Sequence, residues 1–557
     1  MYMNIKYITI LIISALTTAV AEAKVNLPHI ISSGMVVQRD KPLTIWGTAD
    51  PGEIVSLKVA KGKSAKTEAD SEGNWRVELP PLKPGGPYTI TVNDITLNDV
   101  LVGDVLLCSG QSNMELPVNR VTDMFADDIA AYRNSAIRQF KVPKEVEFHV
   151  QRNDVSGGTW KSVDEDAMNF SALAYFTARS LNERTGLPVG IINSSWGGTP
   201  VEAWISEKNL ADYPLALSKK RLYEDDGYRS RILSLERENF TRWNALLWAS
   251  DPGLHASVKW YDSEFDDSQW AEYQIPLAGV TNGLELGVDS HCSWNCTENW
   301  ATDGLNAVNG SHWFRKTVSL PADMAGKPGI VRMGCIVDAD SVYVNGTFVG
   351  TTGYQYPPRI YSVPAGVLRE GKNVVTVRLI SQNGKGHFVP EKPYKLIVGE
   401  KEMPLTGRWR YHRGAEMPNS PGMMFWCYLP SVLYNSMVSP LLDYPIGGVV
   451  WYQGESNVGR RNEYCGLLKT MIANWREDFG DAELSFYIVE LADFLHPADK
   501  GGRAAWAEMR KVQAQVADQT PDAYLIRNSD LGEWNDIHPL DKKTLGTRVA
   551  DAILNKK

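Results

Sequence analysis

Ser112 has the setting of a nucleophile in this sequence. It follows the apolar run 105–108 within a few residues, and Gly110 allows a tight backbone turn between them. The pattern is typical of a strand that turns into a helix, where the N–H of the serine would favour a developing oxyanion. A serine in such a turn is also a common helix cap, so the turn alone leaves both interpretations open.

A serine hydroxyl needs a base to become a nucleophile, and the sequence contains nine histidines. Most of them lie near the N-terminus or in regions that predict β structure. His496 and His538 instead follow C-terminal apolar runs. A lone histidine is usually structural, but a position on the same sheet edge as Ser112 favours a catalytic role.

Groups that could stabilise a tetrahedral oxyanion follow two other apolar runs. Gly197 and Gly198 come after one of these runs, and Gln453 directly follows the run 447–452. The glycines also predict a tight turn, which is compatible with donation from their N–H groups. Glu455 lies unusually close to the end of an apolar run, and we expect it to orient other site residues.

An α/β core would bring these candidates together. From residue 99 onward, apolar runs alternate with helical stretches, which predicts a parallel sheet covered on both faces. The predicted strands are 105–108, 189–192, 447–452, 484–489 and 523–526. The spacing of apolar residues over 171–183 predicts a helix that ends at Gly186. Because ligands bind at the carboxyl ends of parallel strands, the polar residues after these runs predict one shared site.

Two other regions predict β structure. In residues 24–98, alternating stretches are separated by turns rich in Gly and Pro, which is typical of an immunoglobulin-like sandwich. Residues 232–410 contain short strands between Gly, Asn and Pro turns, with a hairpin signature at 344–347. The core therefore divides into 99–231 and 411–557, with a β-sandwich inserted between the two parts.

Length and charge limit the class of protein. A chain of 557 residues predicts two to four domains. The formal net charge of -9 argues against a nucleic-acid partner and against adhesion to anionic membranes. The 18 Trp and 23 Tyr suit stacking on sugar rings, although many of them must lie in cores. The oligomeric state is left open by the sequence.

The N-terminus predicts export. Lys6 precedes an apolar run at 7–16, and Ala21-Glu22-Ala23 places small residues where a signal peptidase cleaves. We expect residues 1–23 to be a signal peptide, because the run is shorter than the roughly 20 residues that a membrane anchor needs. The mature protein would be secreted across the inner membrane, to the periplasm or the cell exterior, with no membrane span.

The six cysteines do not form the disulfide scaffold of a small secreted domain. Cys108 lies in an apolar run, and we expect a buried thiol. Cys292 and Cys296 are close enough to pair in an exported protein. The alternative is a metal site that includes His291, but a fourth ligand with recognisable spacing is missing from the sequence.

Three motifs occur in a fixed order along the core. They are Gly110-Gln111-Ser112-Asn113-Met114, Trp451-Tyr452-Gln453-Gly454-Glu455-Ser456-Asn457, and Asp536-Ile537-His538-Pro539 with Lys542, Gly546 and Arg548. In this order and spacing they resemble the sialate O-acetylesterase family of the SGNH-hydrolase superfamily. The resemblance covers most of 99–231 and 411–557. It implies a three-layer α/β sandwich with a five-stranded parallel sheet, and the inserted β region resembles the sugar-binding jelly roll of some bacterial relatives.

The resemblance implies a role for each matching residue. Ser112 would be the nucleophile and His538 the base. Gly198, or alternatively Gly197, would donate its N–H to the oxyanion, together with the N–H of the nucleophile. Gln453 stands where many SGNH hydrolases have Asn, and its amide would be a further oxyanion donor.

The carboxylate that orients the histidine is less clear from the motifs. Many SGNH hydrolases have Asp three residues before the histidine, whereas this chain has Asn535, which cannot stabilise an imidazolium by charge. Asp536 is the residue we assign to this role, and Glu455 and Asp530 are the alternatives. Asn113 and Glu455 are expected to support the site. If no carboxylate serves, a Ser–His dyad would remain.

The implied activity is that of a carbohydrate O-acetylesterase without a metal or organic cofactor. Its partners would be acetylated carbohydrates, either 9-O-acetyl esters of sialic acid or acetylated plant polysaccharides such as xylan. The alternative is a carbohydrate-binding protein on a decayed hydrolase core, against which the intact Ser112 and His538 argue. A peptidase or lipase lacks support, because no Gly-x-Ser-x-Gly motif surrounds Ser112 and no apolar lid is evident.

Overall fold

A computed structural model describes residues 25–275, 308–384 and 386–555 of the chain. The predicted signal peptide and the cysteines at 292 and 296 lie outside these residues. Within them, none of the helices is both long and apolar enough to cross a membrane. Cys108 is a buried free thiol, as predicted, and burial raises its pKa to about 12.

Seven strands form the N-terminal β region and lead into the core. They are β1 (Val36–Gln38), β2 (Leu43–Thr48), β3 (Ile54–Val59), β4 (Ser64–Glu68), β5 (Asn74–Leu79), β6 (Gly85–Val92) and β7 (Ile95–Gly110). β2 and β5 pair with each other, whereas β1, β3, β4 and β6 join the sheet that contains β7. Alternate side chains of β5 are buried, as the period of two predicts for a strand with one face on a core. The immunoglobulin-like form itself stays a prediction.

Strand β7 is shared by the N-terminal β region and the core. Its first half pairs antiparallel with β6, from Ile95 to Val102, and its second half lies in the core sheet. Every residue from Val100 to Gly110 is buried, which is why the sequence changes character near residue 99. The predicted boundary at residue 98 therefore falls inside a continuous strand.

After β7, the first part of the core consists of helices and three further strands. The elements are α1 (Ser112–Glu115), α2 (Thr122–Ala131), β8 (Ile137–Lys141), β9 (Trp160–Ser162), α3 (Val163–Asp166), α4 (Ala172–Thr185), β10 (Val189–Ser195), α5 (Pro214–Glu224), α6 (Asp226–Ser250) and α7 (Pro252–His255). The predicted helix is confirmed as α4. The Ser171 hydroxyl caps its start, and Gly186 ends it in the left-handed conformation, with φ +70°.

Residues 232–250, at the start of the predicted insert, are helical rather than β. They belong to α6, whose side chains are mostly exposed, so its apolar pattern is too weak to reveal a helix in the sequence. Trp243 and Leu247 are its buried residues, and they pack against Ala415 and Met417.

Between the two parts of the core, the described residues form twelve strands, which we call the inserted sandwich. They are β11 (Ala271–Ile275), β12 (Asn309–Leu320), β13 (Gly329–Met333), β14 (Ile336–Val337), β15 (Ala339–Val344), β16 (Thr347–Thr352), β17 (Ile360–Val363), β18 (Gly371–Ser381), β19 (His387–Phe388), β20 (Tyr394–Val398), β21 (Lys401–Pro404) and β22 (Gly407–Met417). A six-stranded sheet, β11-β22-β12-β18-β15-β16, and a four-stranded sheet, β17-β13-β20-β21, share one apolar cluster. The hairpin predicted at 344–347 joins β15 to β16. The predicted boundary at 410 falls inside β22.

The second part of the core completes the parallel sheet. It contains β23 (Gly448–Tyr452), α8 (Arg461–Asp478), β24 (Phe486–Val489), α9 (Lys500–Gln519), β25 (Ala523–Ile526) and α10 (Lys542–Leu554). The sheet order is β25-β24-β23-β7-β10-β8-β9, in which six strands are parallel and β9 is an antiparallel edge. All five predicted strands are present, but the prediction of a five-stranded sheet is wrong. β8 was missed because its polar residues, among them Arg138 and Gln139, interrupt the apolar pattern.

Candidate active site

The sheet register brings the predicted site residues to one edge. Gly110 of β7 pairs with Ser195 of β10 on one side and with Tyr452 of β23 on the other. The loops that follow these three strands therefore begin at the same level of the sheet. Ser112 and Gly198 lie in or just after two of those loops, at the carboxyl ends where ligands bind in parallel sheets.

The turn before Ser112 requires a glycine. Gly110 has φ +132°, and a Cβ on it would lie 2.1 Å from the Tyr452 carbonyl oxygen. Helix α1 then begins at Ser112 itself, and Gln111 occupies the N-cap position without a side-chain capping bond. The interpretation of Ser112 as a plain helix cap is therefore wrong. Within the described chain the N–H of Ser112 has no hydrogen-bond partner, so it is available to an oxyanion.

Ser112 and His538 line one cavity of about 1350 Å³. Gly197, Gly198 and Glu455 line the same cavity, so the three sequence motifs and the glycine loop meet there. The cavity also receives residues from the inserted sandwich, which are described below.

The glycine loop supplies one free N–H. Gly197 lies beside the nucleophile, since a Cβ on it would be 3.4 Å from Ser112 Cβ, but its N–H donates to the Glu115 carboxylate at 2.7 Å. Gly198 has φ +77°, and a Cβ there would collide with the Tyr428 hydroxyl. No acceptor for the Gly198 N–H is found in the part of the chain that the structure describes. Of the two predicted glycines, Gly198 is thus the one placed to donate to an oxyanion.

Gln453 is not arranged as an oxyanion donor. It is completely buried, and its Nε2 donates to Asn457 Oδ1 at 2.7 Å and to the Thr199 carbonyl at 3.2 Å. Its Oε1 accepts from the Tyr464 hydroxyl at 2.8 Å. Donation into the cavity would break these bonds. The structure therefore corrects the predicted role: Gln453 holds the segment that follows Gly198 in place.

His538 is buried beside Asp536. Its Nδ1 lies 3.7 Å from Asp536 Oδ1, beyond hydrogen-bond distance, and finds no hydrogen-bond partner among the described residues. Asp536 accepts instead from the His538 backbone N–H at 2.8 Å and from Lys392 Nζ at 3.0 Å. Burial lowers the pKa of His538 to about 4, although Asp536 raises it. The imidazole is therefore neutral at pH 7 and can accept a proton.

Three other residues considered from the sequence contact other groups. Asp530 forms a bidentate ion pair with Arg548, and its hydrogen bonds to Arg548 lower its pKa to about 2. Asn535 donates to the Pro390 carbonyl at 2.9 Å. His496 packs against Trp534 and is not among the residues that line the cavity.

A buried polar network lies behind Ser112. Asn113 Nδ2 donates to Glu455 Oε1 at 2.7 Å and to the Ile537 carbonyl at 2.8 Å, and its Oδ1 accepts from Lys542 Nζ at 2.8 Å. Burial raises the pKa of Glu455 and lowers that of Lys542 to about 8. The network ties the residue after Ser112 to the residue before His538. Asn113 and Glu455 thus lie between these two segments, and their supporting role stays a prediction.

The inserted sandwich contributes directly to the cavity. The loop between β16 and β17 places Tyr354 and Tyr356 on its wall, and the Tyr356 ring packs edge-on against His538 with centroids 5.4 Å apart. The loop between β19 and β20 contacts the segment before His538 instead of the cavity, and its Glu391 accepts from the Trp534 indole at 3.0 Å. Sequence reasoning did not find these residues, because the pattern of the insert does not show which of its loops contacts the core.

Comparisons with known proteins find related sequences for part of the chain. A family model described as carbohydrate esterase, sialic acid-specific acetylesterase, matches residues 422–555, a range that includes Glu455 and His538. The sialate O-acetylesterases of Pongo abelii and Homo sapiens are each 31% identical to this chain over 264 residues. These alignments cover 42% of this chain and 47% of each relative, so the chain spans about half the length of the curated relatives that it matches. The resemblance indicated by the three motifs is confirmed.

One solved structure is similar over most of the chain. The crystal structure of a carbohydrate acetylesterase from Xanthomonas citri has a TM-score of 0.53 and 23% sequence identity. The match covers 95% of this chain and 74% of the other. It supports a common fold for the core and the surrounding β regions.

Proposed function

We propose, from its resemblance to the sialate O-acetylesterases, that this chain is a carbohydrate O-acetylesterase with an SGNH-type core. In this proposal Ser112 is the nucleophile and His538 the base. One observation carries the proposal: Ser112, the free N–H of Gly198 and the neutral, buried His538 come from three distant parts of the chain and line one cavity. These are the parts that acyl transfer requires.

The reaction would follow the logic of a serine triad. With Nδ1 of His538 beside Asp536, Nε2 is the nitrogen left to take the Ser112 proton. The serine oxygen attacks the acetyl carbonyl, and the N–H groups of Ser112 and Gly198 stabilise the oxyanion. His538 then protonates the departing sugar hydroxyl. Water releases acetate from the acyl-enzyme by the same route.

The cavity suits a sugar more than a small alcohol. Its wall contains the aromatic side chains of Trp196, Tyr354, Phe425 and Tyr428, whose faces could pack against a sugar ring. Its volume of about 1350 Å³ exceeds what an acetyl group needs. Acetylated sialic acids and acetylated plant polysaccharides remain the two proposed substrate classes. We further propose that the protein is exported, as its N-terminal sequence suggests.

Acetate release tests the proposal. Wild-type protein is expected to liberate acetate from an acetylated sugar and nitrophenol from p-nitrophenyl acetate. Ser112→Ala or His538→Ala is expected to lower kcat by about 10⁴-fold or more, because triad members act as a unit. Ser234→Ala, on the exposed face of α6, is the matched control and should behave as wild type.

Two outcomes would overturn the proposal. A folded Ser112→Ala variant, checked by circular dichroism, that keeps near-native turnover would remove the serine from the mechanism. A wild-type protein that cleaves neither ester faster than buffer would favour the alternative, a carbohydrate-binding protein on an inactive hydrolase core.

A further inference from the structure

Arg120 is a cation of the cavity that the proposed mechanism does not use. It ends a one-turn 3-10 helix, Val118–Arg120, shortly after α1, and lines the same cavity as Ser112 and His538. Val118 is fully buried, and its N–H donates to the Phe170 carbonyl at 2.9 Å. The backbone that presents Arg120 is therefore fixed against the core.

The Arg120 guanidinium has few partners. Its Nη2 donates to the Tyr356 carbonyl at 3.3 Å, whereas its Nε is buried without a hydrogen-bond partner. Throughout residues 25–275, 308–384 and 386–555, no carboxylate lies within ion-pair distance of Arg120. Burying donors of a charged group without partners costs free energy, so such an arrangement calls for an explanation.

Two other cations of the same cavity are neutralised. Lys144 pairs with Glu115, and Arg460 pairs with Glu202. Lys219 also lines the cavity but is exposed to water, where an unpaired ammonium costs little. Arg120 is thus the half-buried cation of this wall for which the described residues provide no counter-ion.

A substrate anion would complete the arrangement. A guanidinium presents planar pairs of donors that match a carboxylate, and the resulting bonds are among the strongest between side chain and ligand. Arg120 also acts electrostatically on His538, disfavouring its protonated form. Because the base must become an imidazolium during catalysis, an anion that neutralises Arg120 would favour the reaction as well as binding.

We propose that Arg120 is a specificity-determining residue that binds the carboxylate of an acetylated acidic sugar while its acetyl ester reaches Ser112. The inference rests on the proposed esterase function and narrows it to sugars that carry an anionic group. Tyr354 and Tyr356 lie on the same stretch of the cavity wall. They would face the sugar ring, between its carboxylate and its acetyl ester.

A pair of substrates tests the inference. One is a 9-O-acetylated sialic acid, and the other is the same sugar with its carboxylate converted to a carboxamide. Wild-type protein should show a kcat/KM for the acid on the order of ten- to a hundredfold above that for the amide, the worth of a charge-assisted hydrogen bond. Arg120→Gln should bring this ratio close to one. Arg120→Lys keeps the positive charge but loses the planar pair of donors, so it should give an intermediate ratio.

The matched control removes a different cation from the same cavity. Lys219→Gln should keep the wild-type ratio, because its ammonium is exposed and screened. As a measurement that needs no variant, free sialic acid should inhibit the cleavage of p-nitrophenyl acetate by wild-type protein more strongly than its carboxamide does.

Each contrary outcome has its own meaning. A wild-type ratio near one, or an Arg120→Gln variant that slows both substrates equally, would overturn the role of Arg120. Equal inhibition by the free acid and its amide would do the same. If no acetyl ester is cleaved at all, the proposed esterase function fails instead.

Discussion

The 3.7 Å between Asp536 Oδ1 and His538 Nδ1 determines how the carboxylate can act on the base. At this distance the contact is electrostatic rather than a hydrogen bond. The Asp536 carboxylate accepts hydrogen bonds from Lys392 and from the backbone N–H of His538. The residue that would orient the base is therefore itself fixed by two hydrogen bonds. In the proposed mechanism, its negative charge would still favour the imidazolium that forms when Ser112 is deprotonated.

Asp536→Asn should therefore be far more harmful than Asp530→Asn. We expect at least a ~10²-fold loss of kcat for the former, because the amide cannot stabilise an imidazolium by charge. Asp530→Asn is the matched control, since Asp530 pairs with Arg548 away from the base. Steady-state kinetics with p-nitrophenyl acetate would measure both. Equal activity of the two variants would leave Ser112 and His538 as a dyad.

The pH profile should report the buried imidazole. Below its pKa of about 4, His538 is protonated and cannot accept from Ser112, so kcat/KM should fall as the pH decreases through this value. Since Asp536 raises that pKa, Asp536→Asn should move the acid limb to lower pH. A wild-type limb near pH 6.5, the value of an exposed histidine, would contradict the burial argument.

At the scale of elements, the loop between β19 and β20 acts as a clamp on the segment that carries His538. Pro390 accepts from Asn535, Glu391 accepts from Trp534, and Lys392 pairs with both Asp536 and Glu533. Three successive residues of the inserted sandwich thus contact the segment just before the base. The insert therefore holds the segment of the proposed base in addition to forming part of the cavity wall.

Lys392→Met should shift the pH profile in the direction opposite to Asp536→Asn. The Lys392 cation lowers the pKa of His538, so its removal should move the acid limb of kcat/KM to higher pH. Lys395→Met serves as the control, because it removes a cation of β20 that pairs with Glu402 on the neighbouring strand β21. A limb that stays in place in Lys392→Met, or moves to lower pH, would show that Lys392 does not act on the base.

The contrast between predictable and unpredictable site residues follows from how each is positioned. Ser112, Gly198 and His538 could be found because each follows an apolar strand, and the carboxyl ends of parallel strands converge. The buried hydrogen bonds of the Gln453 side chain are made to Tyr464 and Asn457, which only folding brings next to it. The contacts of Lys392 depend on how the inserted sandwich docks on the core, for which the sequence carries no periodic signal.

The elements of the fold likewise divide into those that the sequence predicts and those that it does not. Continuous apolar runs revealed five parallel strands, whereas β8 was hidden by its polar residues and α6 by its exposed surface. Both elements are defined by tertiary packing rather than by a local pattern.

At the scale of the whole molecule, the hydrophobic residues form two principal cores. One apolar cluster joins the N-terminal β region to the α/β core, and a separate cluster fills the inserted sandwich. The first two regions are thus parts of one cooperative body, while the insert has a core of its own.

Hydrogen exchange in rising urea should reveal this division. Amides of β7, β10 and β23 should lose protection together with those of β3 and β6, because they share one cluster and one strand. Amides of β12 and β18 should follow a separate transition. Mass spectrometry of peptides from each region would measure the midpoints. Distinct midpoints for β3 and β10, with β18 following β10, would contradict this arrangement.

The continuity of β7 also decides how this chain can be cut or rearranged. A strand whose first half pairs with β6 and β1 and whose second half lies at the centre of the parallel strands cannot serve as a hinge. A fragment that starts near residue 99 would lack β1 and β6, the strands that pair with residues 100–102 of β7. The backbone groups and apolar side chains of residues 100–102 would then face water. The leading β region is accordingly not an exchangeable module, and shortened or fused versions of this chain should retain it as part of the minimal unit.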